Sequence, residues 1–568
     1  MRKIISVLIS AALFTGCLFS GCGTNSSSKS SESASDTEIT TEKTTEAETE
    51  QPITVPDKPT AQISENVKAV ASTDKYRNYY QIFTQSYCDS NNDGVGDFKG
   101  IISQLDYIND GNPEGGNDLG ADGLWLTPIN PSESYHKYSV EDYYNVDKDF
   151  GTLDDFDQLI SECHKRGINI IIDLVLNHIS YKNPLFLNAC EEVKKGKLDG
   201  DARYFEFHEK GYYSSDVNVV EVGNYVCEAN FSPTMPEWNL TSKQTREEFT
   251  KIAKFWLDRG VDGFRLDAVK YFNNKHTDGK EFLKWFVETC RGINGNAYIV
   301  GEDWDSDSEI KGFYESSIDS LFAFRFATAS GEIVQSMGTN DGSGLATKFA
   351  NYEKKMSAVN PDYINAMFLS NHDQVRIANS LEGNGIEAEK LAANIYLLNP
   401  GNSFTYYGEE IGMKAEKSDA DEWYRMPMVF DSDNPQKIRV NNKSAYISPT
   451  GGGVKQQLAD KDSLLNHYRS VINYKLKYPA ISRGRITGAQ DFNDKKICAY
   501  VIEYQGKKLL VIHNFDKDKA KLLDVESDVL ANAGLSVAFT GKPDDIVMFE
   551  NGQLYIPPYS SVVLESTK

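Results

Sequence analysis

Between about residues 76 and 476, short apolar runs alternate with longer amphipathic stretches. Tyr79-Tyr80-Gln81-Ile82-Phe83-Thr84, Gly120 to Pro128 and Asn169 to His178 read as strands. The run Ile170-Ile171-Ile172-Asp173-Leu174-Val175-Leu176 does not alternate, so it predicts a strand buried on both faces, as in a parallel sheet. Phe156, Leu159, Ile160 and Cys163 recur at helical spacing and end at Lys165-Arg166-Gly167, a helix stop. Helical patterns return from Thr241 to Gly260 and from Phe282 to Gly292, with strands opening at Val261, Ala297, Ile364 and Ser403. Polar groups gather at the C-terminal ends of these strands. Strand–helix alternation over ~340 residues with that polar bias predicts an α/β chain built on a (β/α)8 barrel. Residues 179–241 break the rhythm, being polar, aromatic and irregular, and predict an inserted subdomain. Beyond about Lys477 the runs are strand-like: Ile497 to Tyr504 and Lys508 to Phe515 flank a Gln505-Gly506-Lys507 turn, and Leu554 to Leu564 closes the chain. They predict a small antiparallel β-sandwich.

Composition changes this picture mainly at the N-terminus. Arg2 and Lys3 precede an apolar run from Ile4 to Phe19, too short for a spanning helix and right for an export signal. Phe19-Ser20-Gly21-Cys22 resembles a bacterial lipoprotein cleavage site, with polar sequence starting at once after Cys22, the expected lipidation site. Phe14-Thr15-Gly16-Cys17 is the alternative, and an ordinary secreted chain is a third reading. Residues 23–72 are Ser, Thr and Glu with scattered Pro, which predicts a disordered acidic tether. The domain expectation is therefore a signal at 1–22, a tether at 23–72, a barrel at 73–476 with its insert at 179–241, and a sandwich at 477–568. The chain is expected to be a monomer on the outer side of a bacterial membrane, held there by the lipid.

The formal charge of the 568 residues is −24, which argues against nucleic acid as a partner. The 31 Tyr, 28 Phe and six Trp supply core, and also flat faces on which sugars can stack. Cys88, Cys163, Cys190, Cys227, Cys290 and Cys498 show no metal or pairing pattern. Cys190 and Cys227 fall in one segment and could pair; six free thiols is the preferred reading.

Two stretches carry chemistry. In Val261-Asp262-Gly263-Phe264-Arg265-Leu266-Asp267, Arg265 and Asp267 are two apart and share one face of an extended backbone. A guanidinium beside a carboxylate lowers its pKa, so Asp267 is expected to stay ionised, as a glycoside-cleaving nucleophile must. In Asp89-Ser90-Asn91-Asn92-Asp93-Gly94-Val95-Gly96-Asp97, oxygen donors at alternate positions wrap a turn, as in the first half of an EF-hand loop. Asp89, Asn91, Asp93 and Asp97 by side chain, and Val95 by its carbonyl, are the expected Ca2+ ligands.

Asp173-Leu174-Val175-Leu176-Asn177-His178, Gly263-Phe264-Arg265-Leu266-Asp267, Gly301-Glu302-Asp303-Trp304 and Phe368-Leu369-Ser370-Asn371-His372-Asp373 together resemble the four signature regions of the α-amylase superfamily, glycoside hydrolase family 13. The resemblance covers about residues 76 to 568. It implies a retaining hydrolase of α-glucosidic bonds, with Asp267 as nucleophile, Glu302 as general acid/base and Asp373 as the third carboxylate. It implies that His178 and His372 bond sugar hydroxyls, that Tyr138 stacks under the sugar at the cleavage point, that Lys270 reaches the leaving side, and that Arg265 and Trp304 complete the substrate site. Trp304 and acidic neighbours are expected to raise the Glu302 pKa.

Met235-Pro236-Glu237-Trp238-Asn239-Leu240 resembles the specificity region of groups between the oligo-1,6-glucosidases and the neopullulanases. Ser139 stands where exo-acting relatives often carry Asp, which leaves room for a glucan chain to continue. Asn177 matches a calcium ligand in many α-amylases, but Tyr271 stands where those enzymes often have His. The expected activity is endo-hydrolysis of α-1,4 bonds in starch or maltodextrin. The alternatives are an exo-acting, maltogenic or α-1,6-active relative, a transglycosylase, and, in another class, a non-catalytic glucan-binding surface lipoprotein.

Overall fold

Eight short strands with almost no exposed residue form the centre of the molecule: β1 (Asn78–Ile82), β2 (Gly123–Leu126), β3 (Asn169–Leu174), β4 (Gly263–Leu266), β5 (Tyr298–Gly301), β6 (Ser320–Leu321), β7 (Ala366–Phe368) and β8 (Asn402–Tyr406). The structure is a computed structural model that describes residues 74–566 except 113–115, 216, 417–419, 441–442, 445 and 527–528. The expected export signal, the tether and both Cys17 and Cys22 lie outside the described residues.

Every pairing in the main sheet is parallel, in the order β7-β8-β1-β2-β3-β4-β5-β6. A parallel bridge from Phe322 to Ala366 joins its two ends and closes the (β/α)8 barrel. Burial on both strand faces follows from this closure. One face fills the barrel with Tyr79, Trp125, Ile171, Tyr298, Phe322 and Phe404, where Tyr79 stacks on Phe404 at 4.8 Å. The other packs against helices, among them Leu153–Lys165, Lys243–Asp258, Gly279–Ile293, Leu345–Ser357 and Ile386–Leu397. The first of these starts three residues before the apolar pattern, because Thr152 and Asp155 make a capping box. Gly263 opens β4 where a Cβ would lie 1.9 Å from the Tyr298 carbonyl, so only glycine fits.

Between β3 and β4 the chain makes a helix (Pro184–Lys194) and a three-stranded antiparallel sheet of Phe207–Glu209, Tyr225–Glu228 and Val219–Val222. Bridges His178–Glu237 and Phe205–Trp238 bring its ends back to the barrel.

The C-terminal region holds a five-stranded antiparallel sheet (Arg485–Ala489, Ile497–Tyr504, Lys507–Asn514, Ser561–Ser566, Ala533–Phe539) and a three-stranded one (Lys521–Asp524, Gln553–Ile556, Met548–Glu550). The expected final strand is in fact two strands, one in each sheet. Pro557 and Pro558 cannot donate to a ladder, and Tyr559 has φ +46°, so the chain turns between them. Cys88, Cys163, Cys190, Cys227, Cys290 and Cys498 are all free thiols, and Cys190 and Cys227 do not pair. Among the described residues no helix is long and apolar enough to cross a membrane.

Candidate active site

Asp267, Glu302 and Asp373 stand just beyond the C-terminal ends of β4, β5 and β7. In a closed parallel barrel those ends meet on one face, which is how segments over a hundred residues apart come to share a site.

Arg265 organises them. Its side chain is 1% exposed, and its Nη1 donates to Asp173 Oδ1 at 2.7 Å and to Asp267 Oδ1 at 2.8 Å. Its Nη2 donates to Glu302 Oε2 at 2.7 Å. Asp267 follows a strand that still runs extended, so the side-by-side placement expected for Arg265 and Asp267 holds. Ala268 then turns left-handed (φ +52°), and its N–H donates to Glu302 Oε2 at 3.1 Å. Such backbone strain outside glycine is held in place by its surroundings and is common at active sites.

Burial sets the titration of this cluster. It pushes Glu302 up to about 7, against the Arg265 guanidinium. The expected influence of Trp304 is corrected: that ring is 53% exposed and stacks on Phe324 at 5.0 Å. The expectation for Asp267 is corrected too. Burial raises its carboxyl above the ordinary range, and Arg265 and a hydrogen bond from Glu302 only offset part of that. Glu302, raised to about 7, is a proton donor near neutrality. Asp173, buried at the foot of the cluster, is pushed up to about 8.

Asp373 is different. Burial would raise it, but His372 and Arg425 hold it far below the usual carboxylate range. Arg425 Nη2 donates to Asp373 Oδ1 at 2.8 Å and its Nε to the His372 carbonyl at 2.9 Å. Arg425 is charged at every relevant pH and adds a lasting positive charge beside Asp373.

Tyr138 joins the two halves. Its hydroxyl donates to Asp173 Oδ2 at 2.9 Å and meets His372 Nε2 at 2.6 Å, and its ring stacks on the His372 ring at 5.7 Å. His372 Nδ1 is held by Gln81 Nε2 at 2.7 Å. His178 is 2% exposed, packs on Phe231, and has neither ring nitrogen hydrogen-bonded; burial lowers it to about 4. Lys270 and Trp304 lie at the rim, Lys270 paired with Asp305 at 3.0 Å. Ser139 is buried beside Tyr138.

The geometry adds Asp173, Gln81 and Arg425 to the residues read from sequence. Asp173 carried a signal, a lone charge inside an apolar strand. Arg425, in Trp423-Tyr424-Arg425-Met426-Pro427, carried none. Chemically, the site offers two carboxyls on one guanidinium, a third held anionic, and one buried imidazole, His178, with both nitrogens unbonded.

The loop from Asp89 to Asp97 is folded round Gly94 (φ +92°). Asp89 accepts from the N–H groups of Asn91, Asn92 and Gly94, and Asp93 from that of Val95. Asp97 accepts from Ser90 and caps the helix Phe98–Ser103 through Gly100 N–H. The loop is pinned to the segment after Arg425, with Asp89 N–H donating to Gln436 Oε1 at 2.9 Å and Arg439 Nη2 to the Asp93 carbonyl. Its three carboxylates do not come within 4.8 Å of one another as a set. With Asn91 and the Val95 carbonyl interleaved, the donor set is all oxygen and fits a hard cation in composition.

The family described as "Alpha amylase, catalytic domain" matches residues 81–484, and "Alpha-amylase SusG C-terminal domain" matches residues 497–563. "Alpha-amylase 3" of Dictyoglomus thermophilum is 34% identical over 500 residues, spanning 86% of this chain and 93% of that protein. An "Oligo-1,6-glucosidase" of Bacillus cereus is 26% identical over 538 residues, spanning 79% of this chain and 92% of that one. The solved structure of Eubacterium rectale Amy13B superposes with a TM-score of 0.81 at 35% identity, covering 89% of this chain and 97% of Amy13B.

Proposed function

The chain belongs to the α-amylase family of glycoside hydrolases, and from that premise we propose that it is a retaining, endo-acting α-amylase cleaving α-1,4-glucosidic bonds in starch, maltodextrin and related glucans. The observation that carries the reading is the shared guanidinium. Arg265 holds Asp267 and Glu302 on neighbouring amino groups, at 2.8 and 2.7 Å. Two carboxyls hydrogen-bonded to one guanidinium stand close together, which favours a retaining pair (~5–5.5 Å) over an inverting one (~6.5–9.5 Å).

In this reading Asp267 attacks the anomeric carbon while Glu302 gives its proton to the departing glycosidic oxygen. The glycosyl–Asp267 ester is then opened by water, whose proton returns to Glu302, and configuration is retained. Asp373, kept anionic by Arg425, accepts hydrogen bonds from sugar hydroxyls as the ring distorts. The unpartnered nitrogens of His178, with His372, bond further hydroxyls, and Tyr138 lies beneath the sugar. Trp304 and Lys270 meet the chain at the rim. Asp89, Asn91, Asp93, Val95 and Asp97 would hold Ca2+, which supplies positive charge to tie the loop together.

Residues 73–476 form the catalytic unit, 179–241 one wall of its cleft, and 477–568 the C-terminal module. The chain acts as a monomer, anchored through lipid on Cys22 outside the bacterial membrane.

The similarity to an oligo-1,6-glucosidase favours a second reading, an α-1,6-active or exo-acting enzyme. Product series from soluble starch and pullulan separate the two. Mixed-length maltooligosaccharides from starch at the earliest times, with pullulan intact, are expected. Panose or maltotriose from pullulan, or glucose alone from starch, would replace the first reading with the second.

A further inference from the structure

Glu206, His208 and His276 come together where the insert meets the loop after β4. Glu206 and His208 are two apart at the strand Phe207–Glu209, so their side chains share a face. His276 lies between the turn Val269–Phe272 and the helix Gly279–Ile293, in a loop shaped by Asn274 Oδ1, which accepts from His276 N–H and Thr277 N–H at 2.9 Å each.

Glu206 Oε1 is 3.3 Å from His208 Nε2 and 3.2 Å from His276 Nδ1. Among the described residues this is the one group of three His, Cys, Asp or Glu side chains whose ligating atoms all lie within 4.8 Å of one another. Charge-assisted N–H···O bonds run at about 2.7–2.9 Å. Two donors each ~2.0–2.1 Å from a tetrahedral ion are instead about 3.3 Å apart. The observed spacing of 3.2–3.3 Å, at the long end for a direct N–H···O bond, matches that of ligands around an ion. His208 Nε2 is buried and has no hydrogen-bond partner. The other nitrogen of His276, Nε2, is 3.1 Å from Tyr212 Oη, a contact that holds the ring with Nδ1 facing Glu206. The Tyr212 ring also stacks on His208 at 3.6 Å, fixing that imidazole.

We infer that Glu206, His208 and His276 bind a divalent transition-metal ion of the zinc class, with solvent in the fourth position. Two imidazoles and one carboxylate suit Zn2+ and not Ca2+, so this site and the Asp89–Asp97 loop sort different ions. The ion ties the insert to the barrel segment that follows Asp267.

The test uses the untagged full chain, equilibrated with Zn2+, dialysed, and assayed for metal by mass spectrometry, with Co2+ as a spectroscopic probe. One zinc per chain, four-coordinate Co2+ bands in the visible and a rise of several degrees in Tm are expected. His208→Ala and His276→Gln should each lose all three while keeping the apo protein's circular dichroism and its calcium content. Zinc well below one per chain in the wild type, or wild-type zinc retained in either variant, would overturn the site.

Discussion

Arg265 bonds three carboxyl groups at the site, those of Asp173, Asp267 and Glu302. Removing it leaves those carboxylates buried without a counter-charge. Arg265→Met should therefore destabilise the fold by about 3–5 kcal/mol, read from urea unfolding at neutral pH. Arg265→Lys should rescue little, since one ammonium cannot replace a fork that reaches three acceptors. The pH profile follows from Glu302. Its proton is needed for leaving-group departure, and burial has raised it to about 7. Activity should fall as pH rises through about 7, and fall again in acid where Asp267 takes a proton. Glu302→Gln should lower kcat/KM by about 10²-fold or more and abolish the alkaline limb, measured on an activated substrate across pH 5–9.

At the scale of elements, the Asp89–Asp97 loop and the segment carrying Arg425 behave as one piece through Gln436 and Arg439. Chelation with EDTA should lower Tm by several degrees, and Asp93→Ala should make Tm indifferent to added Ca2+. The strands show how far a local pattern reaches. The Ile170-Ile171-Ile172 run predicts burial on both faces and is buried on both faces. The closing run of the chain is equally apolar but divides between two sheets, because two prolines and a left-handed Tyr559 interrupt the ladder. Arg425 is the opposite case: it lies in no regular strand or helix, so no periodicity marks it, and only folding brings it to Asp373.

At the scale of the molecule, stability should depend on pH through histidines buried without charge. Burial holds His178 to about 4, and His467 and His513 to about 3. A histidine depressed in the folded state leaves the unfolded chain holding more protons below pH ~6.5. The stability it allows is complete above ~6.5 and is lost as pH falls toward 3–4. His513→Asn should flatten that acid slope, read from unfolding midpoints between pH 3 and 8. Glu409, raised to about 8 by burial, acts with the opposite sign, and its share is lost as pH rises from ~4.5.

The barrel was legible because each strand and helix must bury an apolar face, and that requirement writes its period into the chain. Glu302 and Asp373 were legible from the resemblance of their motifs to those of the α-amylase superfamily, and Asp267 also from its spacing to Arg265 at a strand end, where polar groups can collect without breaking the core. Their proton affinities were not. Pairing Arg265 with Asp267 predicts a lowered carboxyl, but three carboxyls share the one guanidinium, and burial outweighs the pairing. The cluster of Glu206, His208 and His276 was equally invisible, since His276 is about seventy residues from the other two and meets them only where the insert folds back on the barrel. Sequence alone determined the architecture and the residue types at the site, because patterning and strand ends are local properties. Tertiary structure decided what charge each group carries and which distant groups meet, because both depend on neighbours the chain order does not name.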